Sequence, residues 1–252
     1  MRIAPQIEML ELHVSAGERS MILNPTVMID ETGYWLIDTG MPGYYEQTQS
    51  LIAQGDIDTQ QLRLRGIVLT HQDIDHIGGL PEWLEKHAAD GQLPVYAHEG
   101  DQSAINGTTT PIKFPPERRA MLLQAMPAAL RESFERTFSG ERQNVTDTII
   151  DGQTLSIAGG LTVIHTPGHT PGHVSLYHHA SKTLIAGDAM VIADGVLCGP
   201  IPAMTPDLTL ATQSLSRLAA YDIETVIAYH GGRYSGPDVN KRIAELAAAA
   251  QA

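Results

Sequence analysis

The stretch THQDIDHIGG, Thr70 to Gly79, sets two histidines and two aspartates within six positions, directly after the apolar run IVLT. Imidazole nitrogens and carboxylate oxygens hold divalent cations, so the chemistry this spacing offers is metal ligation. Three other places combine His or Asp with glycine-rich turns: His169 in HTPGHTPGH, Asp188 in AGDAM and His230 in AYHGG. Together His71, Asp73, Asp75, His76, His169, Asp188 and His230 are too many donors for one tetrahedral ion. They suit two ions with a bridging carboxylate. Alternate residues of an extended backbone share a face, which lets His71, Asp73 and Asp75 point together. A turn at Asp75 and His76 then sends these two toward a neighbouring ion.

These residues need strand ends to stand on. MILNPTVMID and GYWLID read as two strands joined at Glu31-Thr32-Gly33, and LIDTG ends a strand on Asp38. YYEQTQSLIAQG reads as a helix, IVLT as a strand, GGLPEWLEKHAA as a helix and PVYAH as a strand. PPERRAMLLQAMPAALRESFERTF has helical spacing interrupted by Pro127. It belongs to a Met- and Arg-rich stretch, about 101–144, that reads as a helical insertion in a single domain spanning 1–252. The second half is strand-rich: TLSIAGG, LTVIHT, HVSLYHH, KTLIAGD, GVLCG and ETVIAYHGG, the last ending on His230. Between and after them come two helices, DLTLATQSLSRLAAY behind the start signal Thr205-Pro206-Asp207, and DVNKRIAELAAAA.

Composition bounds the rest. A chain of 252 residues buries a full core. The net charge of -13 argues against a nucleic-acid partner. Cys198 stands alone, which allows no internal disulfide and suits a reducing compartment. The opening MRIAPQIEMLELHV has no apolar signal core, and no run reaches membrane length. The expectation is a cytoplasmic protein with a small-molecule substrate and no membrane or nucleic-acid partner. A homodimer through the apolar insertion stays open.

LIDTG, THQDIDHIGG, HTPGHTPGH, AGDAM and YHGG, in this order, resemble the five motifs of the metallo-β-lactamase-fold superfamily, over nearly the whole chain. The resemblance implies an α+β fold, a four-layer αββα sandwich with the site at one edge between the sheets. It implies that His71, Asp73 and His169 hold one metal, that Asp75, His76 and His230 hold the other, and that Asp188 bridges them. It implies two divalent ions, zinc first, and a hydrolase whose metal-bound hydroxide attacks a small ester, lactone or thioester, with Asp75 shuttling the proton. Asp38 matches an aspartate that orients the ligands from behind, and His173 reads as a histidine behind or beside them. TPGHTPGH followed by VSLY is similar to acyl-homoserine lactonases. Thiolesterases of the glyoxalase II type share the motif set.

One position departs from the common HxHxDH pattern: Asp73 stands where a third histidine is usual. Three aspartates oppose the four charges of two divalent ions more fully than two would, which weakens Lewis acidity. Oxygen in place of nitrogen also shifts preference toward iron or manganese. Hence the alternative expectation is a non-heme di-iron protein that binds or reduces O2 or NO, similar to the flavodiiron proteins.

Overall fold

The computed structural model describes residues 1–16, 19–55 and 62–249. Two sheets form the centre. In spatial order, the first has seven strands: Arg2–Ala4, Ile7–Met9, Thr26–Asp30, Gly33–Ile37, Leu64–Val68, Val95–His98 and Asp147–Ile149. The second has six: Thr154–Leu155, Leu161–His165, Val174–His178, Thr183–Ile185, Thr225–Ala228 and Gly232–Ser235. Ile7, Met9, Met28, Ile37 and Val68 of the first sheet meet Val163, Leu176, Ile185 and Ile227 of the second in one apolar layer. Alternation along each strand drives this, since residues two apart share a face and burying that face removes it from water.

Helices cover both outer faces. Tyr45–Gln54 and Leu80–Lys86 pack on the first sheet through Tyr45, Ile52, Leu80 and Trp83. Leu208–Leu218 packs on the second, burying Ala211, Ser214, Leu215 and Leu218 at helical spacing. Its start is set by Asp207, whose carboxylate accepts from the Leu210 N–H at 2.8 Å. Val239–Ala248 lies beside it through Val239, Ile243 and Ala247. The order of layers is helix, sheet, sheet, helix, an αββα sandwich. Among the described residues no helix is long and apolar enough to cross a membrane.

Several elements differ from the sequence reading. MILNPTVMID is two strands rather than one, because the chain turns at Asn24-Pro25. Pro25 has no N–H to give a ladder, and Asn24 Nδ2 donates instead to Leu10 O at 2.8 Å. Arg19–Leu23 therefore leaves the large sheet and pairs with Leu12–Ala16. TLSIAGG keeps only Thr154–Leu155 as strand, and the strand before His230 stops at Ala228. Arg2–Ala4, Ile7–Met9, Asp147–Ile149 and Val191–Ala193 are strands that the sequence pattern does not announce. The 115–138 stretch is helical, divided at Pro127 into Pro116–Ala125 and Ala128–Thr137. Ala250, at the end of the last expected helix, lies outside the described residues.

Candidate metal centre

The seven donors stand just beyond the C-terminal ends of strands, Asp75 and His76 on a short helical turn and the other five outside any helix, where side chains from both sheets converge. Leu64–Val68 leads into His71, Leu161–His165 into His169, Thr183–Ile185 into Asp188 and Thr225–Ala228 into His230. The first motif changes conformation partway along. Asp73 is extended (φ −68°, ψ 146°) and Ile74–Ile77 is one helical turn, with the N–H groups of His76 and Ile77 donating to Asp73 O at 2.9 and 3.0 Å. The turn thus begins one residue earlier than alternation implies. Asp75 leaves the face of His71 and Asp73 and joins His76.

The result is two groups. His71, Asp73, His169 and Asp188 offer atoms that all lie within 4.8 Å of one another, and so do Asp75, His76 and His230. Asp188 links them: its Oδ2 lies 3.2 Å from His169 Nε2 and 3.5 Å from His230 Nε2, and its Oδ1 lies 3.3 Å from His76 Nε2. Asp73 Oδ2 sits 3.3 Å from His71 Nε2 and 3.1 Å from His169 Nε2, and Asp75 Oδ2 sits 3.3 Å from His230 Nε2. Among the described residues nine buried side-chain polar atoms lack a hydrogen-bond partner, and four are here: His71 Nε2, Asp73 Oδ1, His76 Nε2 and Asp188 Oδ1. Buried lone pairs without donors are costly, and a divalent cation satisfies several at once. The donor set fits a metal.

Polar residues behind the groups orient them. Asp38 adopts φ 63°, a left-handed backbone rarely taken by non-glycine residues. Its Oδ1 accepts from the Thr70 N–H and its Oδ2 from Thr70 Oγ1, each at 2.8 Å, while His76 Nδ1–H donates to Oδ2 at 2.8 Å. That bond fixes the ring so that Nε2 of His76 faces Asp188 Oδ1 at 3.3 Å. His173, fully buried, accepts the Asp188 N–H on Nε2 at 2.9 Å and pairs Nδ1 with Thr166 Oγ1 at 2.8 Å. Gly187 is required beside it, because a Cβ there would come within 2.7 Å of His173 Nε2.

The electrostatics separate the groups. Burial pushes His71 down, and neighbouring His76 adds to the effect. Burial opposes charge on His76 too, but Asp38, Asp188 and Asp75 outweigh it and hold it well above the usual range. His230 is pushed up to about 10, with burial overcome chiefly by Asp188 and Asp75. Burial would raise Asp73, yet His71, His169 and Lys113 drive it far below the usual carboxylate range.

Three residues here escape the sequence reading. Asp101, wholly buried, accepts from Gln72 N–H (2.9 Å) and Nε2 (2.7 Å), Thr170 Oγ1 (2.6 Å) and Gly172 N–H (2.7 Å), which ties the His71 loop to the His169 loop. Tyr229 stacks on His76 with ring centroids 3.7 Å apart and donates its hydroxyl to Asp75 O at 2.6 Å. Lys113 Nζ contacts both Asp73 Oδ2 and His169 Nε2. No motif marks Asp101 or Lys113, and Tyr229 stands inside YHGG without a role assigned to it. His98 stacks on His165, and its Nδ1 caps the Glu99–Ile105 helix.

Comparison with known proteins agrees with this architecture. Residues 22–230 match the model of the metallo-beta-lactamase superfamily. The probable metallo-hydrolase YflN of Bacillus subtilis (strain 168) is 30% identical over 226 residues, covering 84% of this chain and 80% of that protein. A hydroxyacylglutathione hydrolase of Xylella fastidiosa (strain M12) is 33% identical over 160 residues, 63% of this chain but 43% of that protein. Among solved structures, a metallo-beta-lactamase family protein from Thermus thermophilus shares the fold, with a TM-score of 0.66 at 24% identity over 99% of this chain and 81% of that one. The matched span holds every one of the seven converging donors, and the chain belongs to the metallo-beta-lactamase superfamily.

Proposed function

We propose that this chain is a metal-dependent hydrolase acting on a small ester, lactone or thioester. What carries the reading is the pair of donor groups joined through Asp188, with four of their buried side-chain polar atoms left without a hydrogen-bond partner. The metallo-hydrolase and hydroxyacylglutathione hydrolase names of its relatives support the same class. His71, Asp73 and His169 would hold one ion, Asp75, His76 and His230 the other, and Asp188 would touch both. Divalent ions held there, zinc first and iron or manganese next, would supply Lewis acidity that polarises an acyl carbonyl and acidifies water.

The chain's own groups do the remaining work. Asp75 is the most open of the three carboxylates, its side chain 22% exposed against 11% for Asp73 and 9% for Asp188. Openness suits it to take a proton from the attacking water and pass it to the leaving oxygen or sulfur. Asp38 keeps the His76 proton on Nδ1, and Tyr229 fixes the backbone of Asp75. Beside Ile74, between the two groups in sequence, lies a cavity of about 310 Å³ lined by Ile74, Ile77, Phe114, Phe134 and Phe138, with Arg119 at its wall. Thr108, Thr109, Thr110 and Ser139 line it too, so this space, at the small end of ligand pockets, has a mixed polar and apolar wall and includes none of the seven donors.

The test is turnover. Protein loaded with zinc or manganese is expected to hydrolyse at least one class among p-nitrophenyl esters, lactones and acyl thioesters. Chelation should abolish the activity and re-addition of the ion should restore it. If every substrate reacts no faster than with His71→Ala, the hydrolase reading is lost.

A further inference from the structure

Lys113 comes from the loop before the Pro116–Ala125 helix and reaches into the first donor group. Its Nζ touches Asp73 Oδ2 and His169 Nε2 and donates to Met204 O at 3.2 Å, with its side chain 14% exposed. The loop is anchored there, since the Ile112 N–H donates to Gln72 Oε1 at 2.9 Å. A lysine ammonium carries three donors and no acceptor, so the groups it meets must offer lone pairs. Those same lone pairs would face an ion in the first group.

We propose that Lys113 is the resident cation of the first donor group, pairing with Asp73, so that this group binds a divalent ion far more weakly than the second. The charges favour it. One divalent ion and one ammonium bring three positive charges against Asp73, Asp75 and Asp188. Two divalent ions and the ammonium exceed those three carboxylates by two charges, of which Asp38 behind His76 offsets one, leaving one uncompensated in a largely buried site, which is costly. The arrangement also accounts for an aspartate at position 73: a histidine there would offer the ammonium no opposing charge. The di-iron expectation rested on Asp73 as a hard oxygen ligand, and its carboxylate now has a partner of its own within the chain.

The inference rests on the two-group metal site of the proposed function, and one titration separates their failures. Wild type, Lys113→Met and Lys113→Arg are titrated with zinc against a chromophoric chelator, and retained metal is counted by elemental analysis after dialysis. Wild type is expected to hold one equivalent tightly and a second at least ~10-fold more weakly. Lys113→Met should narrow that gap by ~10-fold or more, while Lys113→Arg, which keeps the charge, should behave like wild type. Should Lys113→Met fail to fold, Lys113→Gln carries the same expectation. Two equal tight sites in wild type, or unchanged steps in the uncharged variant, would overturn the role of Lys113 and leave the hydrolase reading standing. No retained metal in any of the proteins would overturn both.

Discussion

The two donor groups are built from the same residue types, yet the chain holds them by different means. The first draws on two separate loops, around His71 and around His169, clasped by the buried carboxylate of Asp101 and visited by Lys113. The second sits on a single helical turn backed by Asp38 and Tyr229, with His230 brought alongside where the chain bridges Leu23. Its histidines are faced by three carboxylates, Asp38, Asp75 and Asp188. The first is therefore already partly neutralised by Lys113, and the second is the richer in carboxylates facing its histidines. Electrostatic preorganisation of that kind favours a tightly held cation in the second group.

Removing what the groups share should have the largest effect. Asp188→Ala deprives both at once, and hydrolysis of the best substrate is expected to fall by roughly 1,000-fold or more, with loss of retained metal. A fall of less than about tenfold would mean that one group suffices without the bridging carboxylate. Next comes the clasp. Asp101→Ala leaves buried donors on Gln72, Thr170 and Gly172 without an acceptor, and roughly 3 kcal/mol of stability should be lost in urea unfolding. Metal retention by the first group should weaken more than retention by the second. Equal weakening of both would show that the two loops are not independent of the helical turn.

A third effect is a pH dependence centred on His230 of the second group and the shared Asp188. In chelator-treated protein His230 is raised from 6.5 to about 10 by its carboxylate neighbours. A histidine with a raised folded value adds stability that is fully present below its unfolded value and lost as pH rises through the folded one. The stability difference between wild type and His230→Gln should thus be complete below about pH 6.5 and fade as pH passes about 10. A difference that does not change with pH would mean that His230 acts through packing rather than charge.

Much of this was legible from residue type and spacing. Pro127 divides a helical stretch because it lacks an N–H, and Asp207 opens a helix by capping Leu210; both effects act within a few residues. The donors could be named because histidine and aspartate beside glycine turns are scarce combinations with few other uses. Their partners could not. Asp101 looks like any acid at a helix start, Lys113 like any surface lysine and Tyr229 like the last apolar residue of a strand.

Local strand reading failed for similar reasons. MILNPTVMID has strand character throughout, and only the destination of each half, a small hairpin or the large sheet, shows where it breaks. The alternation of THQDIDHIGG favoured an extended path, but hydrogen bonds to Asp73 O wound it into a turn one residue early.

The sequence by itself determined which atoms are available for ligation and which segments end in turns, because side-chain chemistry and turn propensity are local properties. The division of the donors into two groups with Asp188 between them was already implied by the resemblance of the motifs, whereas only the tertiary structure decided which lysine opposes Asp73 and which acid ties the His71 loop to the His169 loop. Those outcomes depend on contacts between distant positions, such as Tyr229 with Asp75 across 154 residues and Asp101 with Thr170 across 69. No short-range rule sets such distances. They follow from two sheets packing face to face and bringing the C-terminal ends of their strands to one edge.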